Sequence, residues 1–318
     1  MKKLTLCEGG PEVSSLCLGT MNFGTKEDEA ISFRLLDMYV EAGGSFLDTA
    51  NCYAAWRPGG KGGESETLLG KWMKDRGNRE QMFIATKVGW GYEGVKVGVE
   101  GAKILAECDK SLRRLGIDCI DLYYAHNDDY NTGVNTPLDE TLAAFDKLVK
   151  AGKVRHIAAS NYQSWRLERA LNVSASHGYP TFCCLQQRYT FLRVRPGGDF
   201  GVQLYAHKDV LDMLASRGLR LLAYSPLISG AYTRATRAIP VPHHGRDTDA
   251  RLKVLKQITK AKSATVNQIV LAWMLHSEPA VIPIIAASTE RQLQENLAAM
   301  DVSLTDSDMQ QLNTAGDA

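Results

Sequence analysis

Residues 120–160 read IDLYYAHNDDYNTGVNTPLDETLAAFDKLVKAGKVRHIAAS, and this stretch holds one whole repeat of the fold. Ile120–Ala125 and Val154–Ser160 are short, mostly apolar runs, as expected of strands buried on both faces of a parallel sheet. Between them Leu138, Leu142, Phe145 and Val149 recur on one helical face. Thr136 is expected at the helix cap, Pro137 at its first position and Gly152 at its stop. A strand, a helix and a second strand in this order make one right-handed βαβ unit.

The same alternation extends in both directions. Leu16–Thr20, Ser45–Asp48, Met82–Lys87, Phe182–Gln186, Leu219–Tyr224 and Val281–Ile285 are further strand candidates, which brings the set to eight. Ile31, Leu35, Met38 and Ala42 share a helical face, as do Ile104, Cys108, Leu112 and Leu115, with Gly116 following as a stop. Thr289-Glu-Arg-Gln292 has the spacing of a capping box. Eight strands alternating with helices predict a single α/β domain over residues 1–318, closed as a (β/α)8 TIM barrel rather than opened as a doubly wound sheet. Leu4–Val13, turning at Gly9-Gly10-Pro11, is expected to add an N-terminal β-hairpin. The connections from Arg188 to His207 and from Pro226 to about Thr248 exceed simple turns and are expected to be long binding loops on the C-terminal face.

Composition narrows the function. Lys plus Arg number 37 against 36 Asp plus Glu, a net charge of +1, so no global field draws the chain to nucleic acid or to an anionic membrane. No stretch approaches the roughly 18 apolar residues that span a bilayer, and Glu8 and Gly9 interrupt any signal-like run, so a cytoplasmic location is expected. The seven cysteines include no C-x-x-C pair, which argues against a disulfide framework or a zinc site. Cys183-Cys184 falls in a buried strand, and Cys52 is the thiol expected to be reactive. His243-His244 lacks a third ligand at metal spacing and reads as loop surface.

Barrel enzymes carry their chemistry at the C-terminal ends of the strands. There the sequence places Asp48, Lys87 and His126 at the ends of adjacent strands, with Tyr53 in the loop after Asp48. A free phenol titrates near pH 10, and a neighbouring ammonium is expected to lower that value. Lys87 would supply the ammonium, Asp48 would keep it charged, Tyr53 would become a general acid, and His126 would donate to a carbonyl oxygen.

These residues are similar to the motifs of the aldo-keto reductase superfamily, and the resemblance covers nearly the whole chain. Asp48-Thr-Ala-Asn-Cys-Tyr53 resembles its D-T-A-x-x-Y, and Glu64-Ser-Glu-Thr-Leu-Leu-Gly70 its S-E-x-x-L-G segment. Thr86-Lys87, Leu122–His126 and Gly152–Asn161 match further segments, with Ala158 in place of a glycine. The resemblance implies a catalytic tetrad of Asp48, Tyr53, Lys87 and His126, no metal, and direct hydride transfer between NADP(H) and the carbonyl of a small aldehyde or ketone. Barrels of this kind also serve as auxiliary subunits of potassium channels that bind NADP(H) with slow turnover. A non-redox barrel that binds a phosphorylated substrate is a third reading.

The family uses no Rossmann fingerprint. The one G-x-G-x-x-G, Gly89–Gly94, cannot open a helix before about Gly98, and Gly59–Gly63 lacks P-loop spacing. The resemblance instead assigns Gly19, Thr20 and Met21 to the nicotinamide pocket, and Ser160, Asn161 and Gln186 to its carboxamide. It stacks Tyr224 on the ring, and gives the pyrophosphate to the Ser225, Pro226, Leu227 and Gly230 segment. Ser288, Arg291, Gln292, Glu295 and Asn296 would hold the adenosine end, at a helix N-terminus. Ala286 replaces the usual glycine and Ser288 a frequent arginine, which keeps NAD(H) open beside NADP(H). Arg291, or one of Arg234, Arg237 and Arg246, would pair with a 2′-phosphate. Trp56, Trp90 and Tyr130 fall in rim loops and are expected to form an apolar substrate wall.

Overall fold

A computed structural model describes residues 1–317; Ala318 lies outside the described residues. The predicted hairpin forms from β1 (Lys3–Thr5) and β2 (Glu12–Ser14), with Leu4 opposite Val13. The eight remaining strands are β3 (Cys17–Gly19), β4 (Phe46–Asp48), β5 (Phe83–Val88), β6 (Ile120–Ala125), β7 (Val154–Ser160), β8 (Phe182–Arg188), β9 (Arg220–Tyr224) and β10 (Ile282–Ile285). All pair in parallel and close into a barrel in chain order, β10 returning to β3. The expected strands hold to within a residue or two at each end.

Two apolar layers hold this architecture. Inside the barrel, Cys17, Phe46, Leu122, Tyr124, Cys184, Leu222 and Ile282 are fully buried, and Leu6 and Val13 of the hairpin plug the N-terminal end. Outside it, the larger cluster packs the helices α1 (Glu29–Glu41), α2 (Glu64–Arg76), α3 (Gly101–Leu115), α4 (Leu138–Lys150), α5 (Ser164–His177) and α6 (Lys208–Ser216) on the strands. Between β9 and β10 run two helices, α7 (Thr248–Ala261) and α8 (Val266–His276), and α9 (Glu290–Leu297) and α10 (Asp306–Thr314) end the chain. The α2–α3 contact is close at Gly70, where a Cβ would lie 2.5 Å from the Arg114 carbonyl oxygen.

Two helix starts differ from expectation. Helix α4 begins at Leu138, and the Thr136 hydroxyl does not cap it. Buried Asp129 takes that hydroxyl (2.5 Å) together with the backbone N–H of Thr136 and of Val99, because its carboxylate has no water to turn to. At α9 the capping box is half formed: Thr289 accepts from the Gln292 N–H, but the Gln292 side chain accepts from Ser288 rather than Thr289.

Candidate active site

Asp48 closes β4, Lys87 is next to last in β5, and His126 follows β6, so parallel pairing brings the three to one mouth. The Lys87 Nζ donates to Asp48 Oδ1 (2.5 Å), the Thr49 carbonyl oxygen (2.7 Å) and the Tyr53 hydroxyl (2.8 Å). An ammonium has three protons, and each has an acceptor. The Tyr53 hydroxyl in turn donates to Asp48 Oδ1 at 3.3 Å. The Lys87 and Asp48 side chains are 0% and 1% exposed, so neither charge is solvated and each depends on the other.

The electrostatics correct one expectation. Burial first, and the Asp48 carboxylate second, push the Tyr53 phenol well above its ordinary value, so the nearby ammonium does not win. Tyr53 therefore keeps its proton at neutral pH. Burial, reinforced by Lys87, holds His126 well below the usual imidazole range, so its ring is neutral. Its Nδ1 lies 3.8 Å from the Cys52 Sγ. The Cys52 thiol, expected to be reactive, is buried and pushed up to about 12 by desolvation, which leaves it protonated and inert.

Several cofactor candidates touch this tetrad and are already engaged there. Gln186 donates to Asp48 Oδ2 (2.8 Å), so it braces the carboxylate from the side opposite Lys87. Asn161, in a left-handed conformation (φ 56), donates to the His126 carbonyl oxygen (3.0 Å) and to the Ser160 Oγ (3.1 Å). It accepts from the Tyr224 hydroxyl (2.7 Å) and from the Leu204 N–H (3.2 Å). Thr20 is fully buried and ties β3 to β4 through the Asp48 carbonyl oxygen, whereas Met21 beside it is exposed. Gly19 lets β10 approach, since a Cβ there would lie 2.9 Å from Ile284 Cγ2.

After β9 the backbone takes an unusual course. Ser225, Ile228 and Ser229 all have positive φ (55°, 40° and 57°), which a β-branched residue rarely tolerates. Pro226 is anchored through its carbonyl to Thr190 (2.6 Å), Leu227 is half-buried, and Gly230 packs against the Arg234 side chain. At the start of α9, Ser288 accepts from Lys26 Nζ (2.9 Å), a residue of the loop after β3. Lys26 is a cation that sequence reading missed, because it lies 262 residues from its partner. Arg291, Arg234, Arg237 and Arg246 are exposed. Glu295 is tied to Thr265 (2.7 Å) and Asn296 to the Ala286 carbonyl oxygen (3.1 Å), so both brace the segment.

The three rim aromatics fall in two groups. The Trp56 ring lies 6.2 Å from Tyr53, and the Trp90 ring 6.0 Å from His126, both edge to face. Tyr130 sits further out, paired with exposed Trp165 at 5.4 Å and covered by the Arg166 guanidinium. Arg166 is itself buried against Asp128 (2.9 Å), which fixes this rim. His243 is buried and its Nδ1 meets the Arg193 carbonyl oxygen at 3.1 Å, so it is a structural residue rather than loop surface. Among the described residues no helix is long and apolar enough to cross a membrane.

Comparison with known proteins bears on the family and the fold. The family model described as "Aldo/keto reductase family" matches residues 15–317. Norsolorinic acid reductase stcV of Emericella nidulans is 32% identical over 95% of this chain and 78% of its own length. The uncharacterized oxidoreductase YrpG of Bacillus subtilis is 32% identical over 96% of this chain and 92% of its own. Among solved structures, the thermostable aldo-keto reductase Tm1743, crystallised with the inhibitor epalrestat, superposes with a TM-score of 0.78 at 28% identity, over 99% of this chain and all of that one. With its closed barrel and these matches, the chain belongs to the aldo/keto reductase family, whose members are oxidoreductases that generally use a nicotinamide cofactor.

Proposed function

We propose that this chain transfers a hydride reversibly between NADP(H) and the carbonyl of an aldehyde or ketone, with Tyr53 as the general acid and base. One observation carries the reading: the Tyr53 hydroxyl is hydrogen-bonded to a buried ammonium–carboxylate pair at the barrel mouth. The donor chemistry around it suits a dinucleotide. Amide side chains surround the tetrad, a positive-φ turn beside Arg234 follows β9, and at the far end the α9 N-terminus stands beside Lys26, whose ammonium is shared between Ser288 and the buried Glu27 carboxylate (3.0 Å).

Bound NADPH supplies the hydride. In the protein, Tyr53 gives its proton to the oxygen of the reduced carbonyl. Lys87, already donating to that phenolic oxygen, stabilises the phenolate left behind, and Asp48 keeps the ammonium charged. Neutral His126 has one N–H to offer the carbonyl oxygen as charge builds there. In the oxidation direction the phenolate takes the proton back. Trp56 and Trp90 favour an aromatic substrate, whose flat face they can cover.

We assign the NADP(H) preference to Lys26 rather than to Arg291, because the Lys26 Nζ donates to Ser288 at the start of α9 whereas Arg291 is exposed. Initial rates with NADPH and NADH against aromatic aldehydes, aryl ketones and short aliphatic aldehydes test the proposal. Turnover of aromatic carbonyls, with NADPH favoured by about tenfold (about 1.4 kcal/mol), supports it. Cofactor binding without turnover of any carbonyl overturns it.

A further inference from the structure

Two of the rim loops are joined beneath the barrel mouth by a single buried carboxylate. Helix α3 turns Ile104, Glu107, Cys108, Ser111 and Leu115 inward, and Glu107 is the charged member of that face, 2% exposed. Its Oε2 accepts from the Asn51 Nδ2 (2.8 Å), in the loop after β4, and from the Tyr92 hydroxyl, in the loop after β5. Its Oε1 accepts from the Lys110 Nζ (2.7 Å), one turn along the helix. One oxygen thus serves both loops. Asn51 is itself fully buried, and its backbone N–H donates to the Lys87 carbonyl oxygen at 3.3 Å. Tyr92 sits in a tight turn, held by paired backbone bonds with Val95 (2.9 and 2.8 Å). The loops also touch directly at Gly62. A Cβ there would lie 2.8 Å from Tyr92 Cδ2 and 3.1 Å from the Asn51 carbonyl oxygen, so glycine is what lets the first loop close over the tyrosine ring.

Each of these loops carries an indole. Trp56 follows Asn51 in the first, and Trp90 precedes Tyr92 in the second. The ring centroids run Trp56, Tyr53, His126, Trp90 at steps of 6.2, 6.0 and 6.0 Å, so the two indoles flank Tyr53 and His126. The spacing between the indoles is therefore the spacing between the loops.

Stability does not call for a carboxylate at position 107. Burying a charge is costly even when it is paired, and an apolar side chain would fill this face of α3 without that cost. What the carboxylate supplies is a common anchor. We propose that Glu107 is a positioning residue for substrate recognition: through one oxygen it fixes the spacing of the Trp56 and Trp90 loops, and with it the width of the slot that takes an aromatic carbonyl. The role in recognition rests on the proposed hydride transfer. The tetrad does not depend on this clamp, since Lys87, Asp48 and Tyr53 hold one another. Loosening the loops should therefore weaken substrate binding more than the chemical step.

Steady-state kinetics and hydrogen exchange on the full-length protein test the clamp. Glu107→Ala should raise KM for an aromatic aldehyde about tenfold, since a misplacement of about 1 Å can cost about 10²-fold, and should lower kcat by less than about twofold. Amide exchange read by mass spectrometry should quicken by at least about tenfold in residues 49–63 and 89–100 together, and not in the strands. Glu107→Gln keeps an oxygen for Asn51 and Tyr92 and gives up only the bond to Lys110, whose ammonium is 42% exposed and can turn to water. It should restore both readouts. Should the alanine variant fail to fold, Tyr92→Phe cuts the link from the other side: it keeps the ring under Gly62, and should loosen residues 89–100 and raise KM about threefold. Exchange needs no turnover, so it decides the clamp even for a chain that reduces no carbonyl, the outcome that would refute the hydride transfer. Parental exchange or parental KM in Glu107→Ala, loosening of one loop only, a kcat that falls as far as KM rises, a glutamine variant no better than alanine, or Tyr92→Phe indistinguishable from the parent would overturn the proposal.

Discussion

Lys87→Met removes one partner of an ion pair that is closed to water, and its cost can be worked from the geometry. Nζ and Oδ1 are 2.5 Å apart and the two side chains are 0% and 1% exposed. At an effective dielectric constant of about 20, charges this close attract by roughly 5–7 kcal/mol. Desolvation cancels much of that for the intact pair, but a lone buried charge keeps its full penalty. The single substitution should therefore cost about 3–5 kcal/mol, a large share of a typical domain's stability. Asp48 would keep only the bonds from Gln186 (2.8 Å) and Tyr53 (3.3 Å). Asp48→Asn should carry a similar cost, because the ammonium would lose the carboxylate charge and face only neutral acceptors, the Thr49 and Tyr53 oxygens and the new amide oxygen. In the double variant no buried charge is left, so the two penalties should not add: the coupling energy should reach about 2–4 kcal/mol. Urea titrations followed by tryptophan fluorescence, on all four proteins of the cycle, measure it. Penalties that add to within about 0.5 kcal/mol would show that the two groups do not depend on each other, and the reasoning from burial would be refuted.

Other consequences follow from particular contacts. The pKa of His126 is depressed in the folded state, so its contribution to stability is present above pH 6.5 and is lost as pH falls below it. His126→Asn should flatten the fall in stability below pH 6.5 by up to about 1.4 kcal/mol per pH unit, read by urea titration at several pH values; matching slopes in parent and variant would contradict the assignment. Lys26→Ala should weaken NADPH binding by about fivefold to tenfold, the size of one half-exposed charge contact, and leave NADH binding unchanged in calorimetry. Equal losses for the two cofactors would remove Lys26 from the 2′-phosphate. Gly70→Ala would drive a methyl to within 2.5 Å of the Arg114 carbonyl oxygen, and should lower stability by about 1–3 kcal/mol in the same titration; an unchanged midpoint would mean that α2 and α3 part freely.

How far the sequence could be read depended on the distance over which each feature acts. The strands were legible because burial on both faces writes them as local apolar runs, and Ile120–Ala125 and Val154–Ser160 match residue for residue. Asp48, Tyr53, Lys87 and His126 were legible as a set because each lies at or just past the end of a strand. Contacts across the barrel were not. The bond from Gln186 to Asp48 spans 138 residues, and no local pattern announces that this amide braces the carboxylate. The shift of the Tyr53 phenol runs opposite to the expected direction, because a list of neighbours gives the sign of each charge but not the depth of burial, which here outweighs them. Thr136 carries the local signature of a cap, yet a buried carboxylate from the preceding loop claims its hydroxyl.

The central claim is that the Tyr53 hydroxyl moves the proton. Tyr53→Phe deletes that oxygen and leaves the ring, with its edge contacts to Trp56 and His126 at 6.2 Å and 6.0 Å. The direct measurement is kcat for NADPH-dependent reduction of an aromatic aldehyde, set beside the Kd for NADPH from tryptophan quenching. The account predicts a kcat lower by about 10²–10⁴ with the Kd unchanged; a variant that turns over at the parental rate would contradict it.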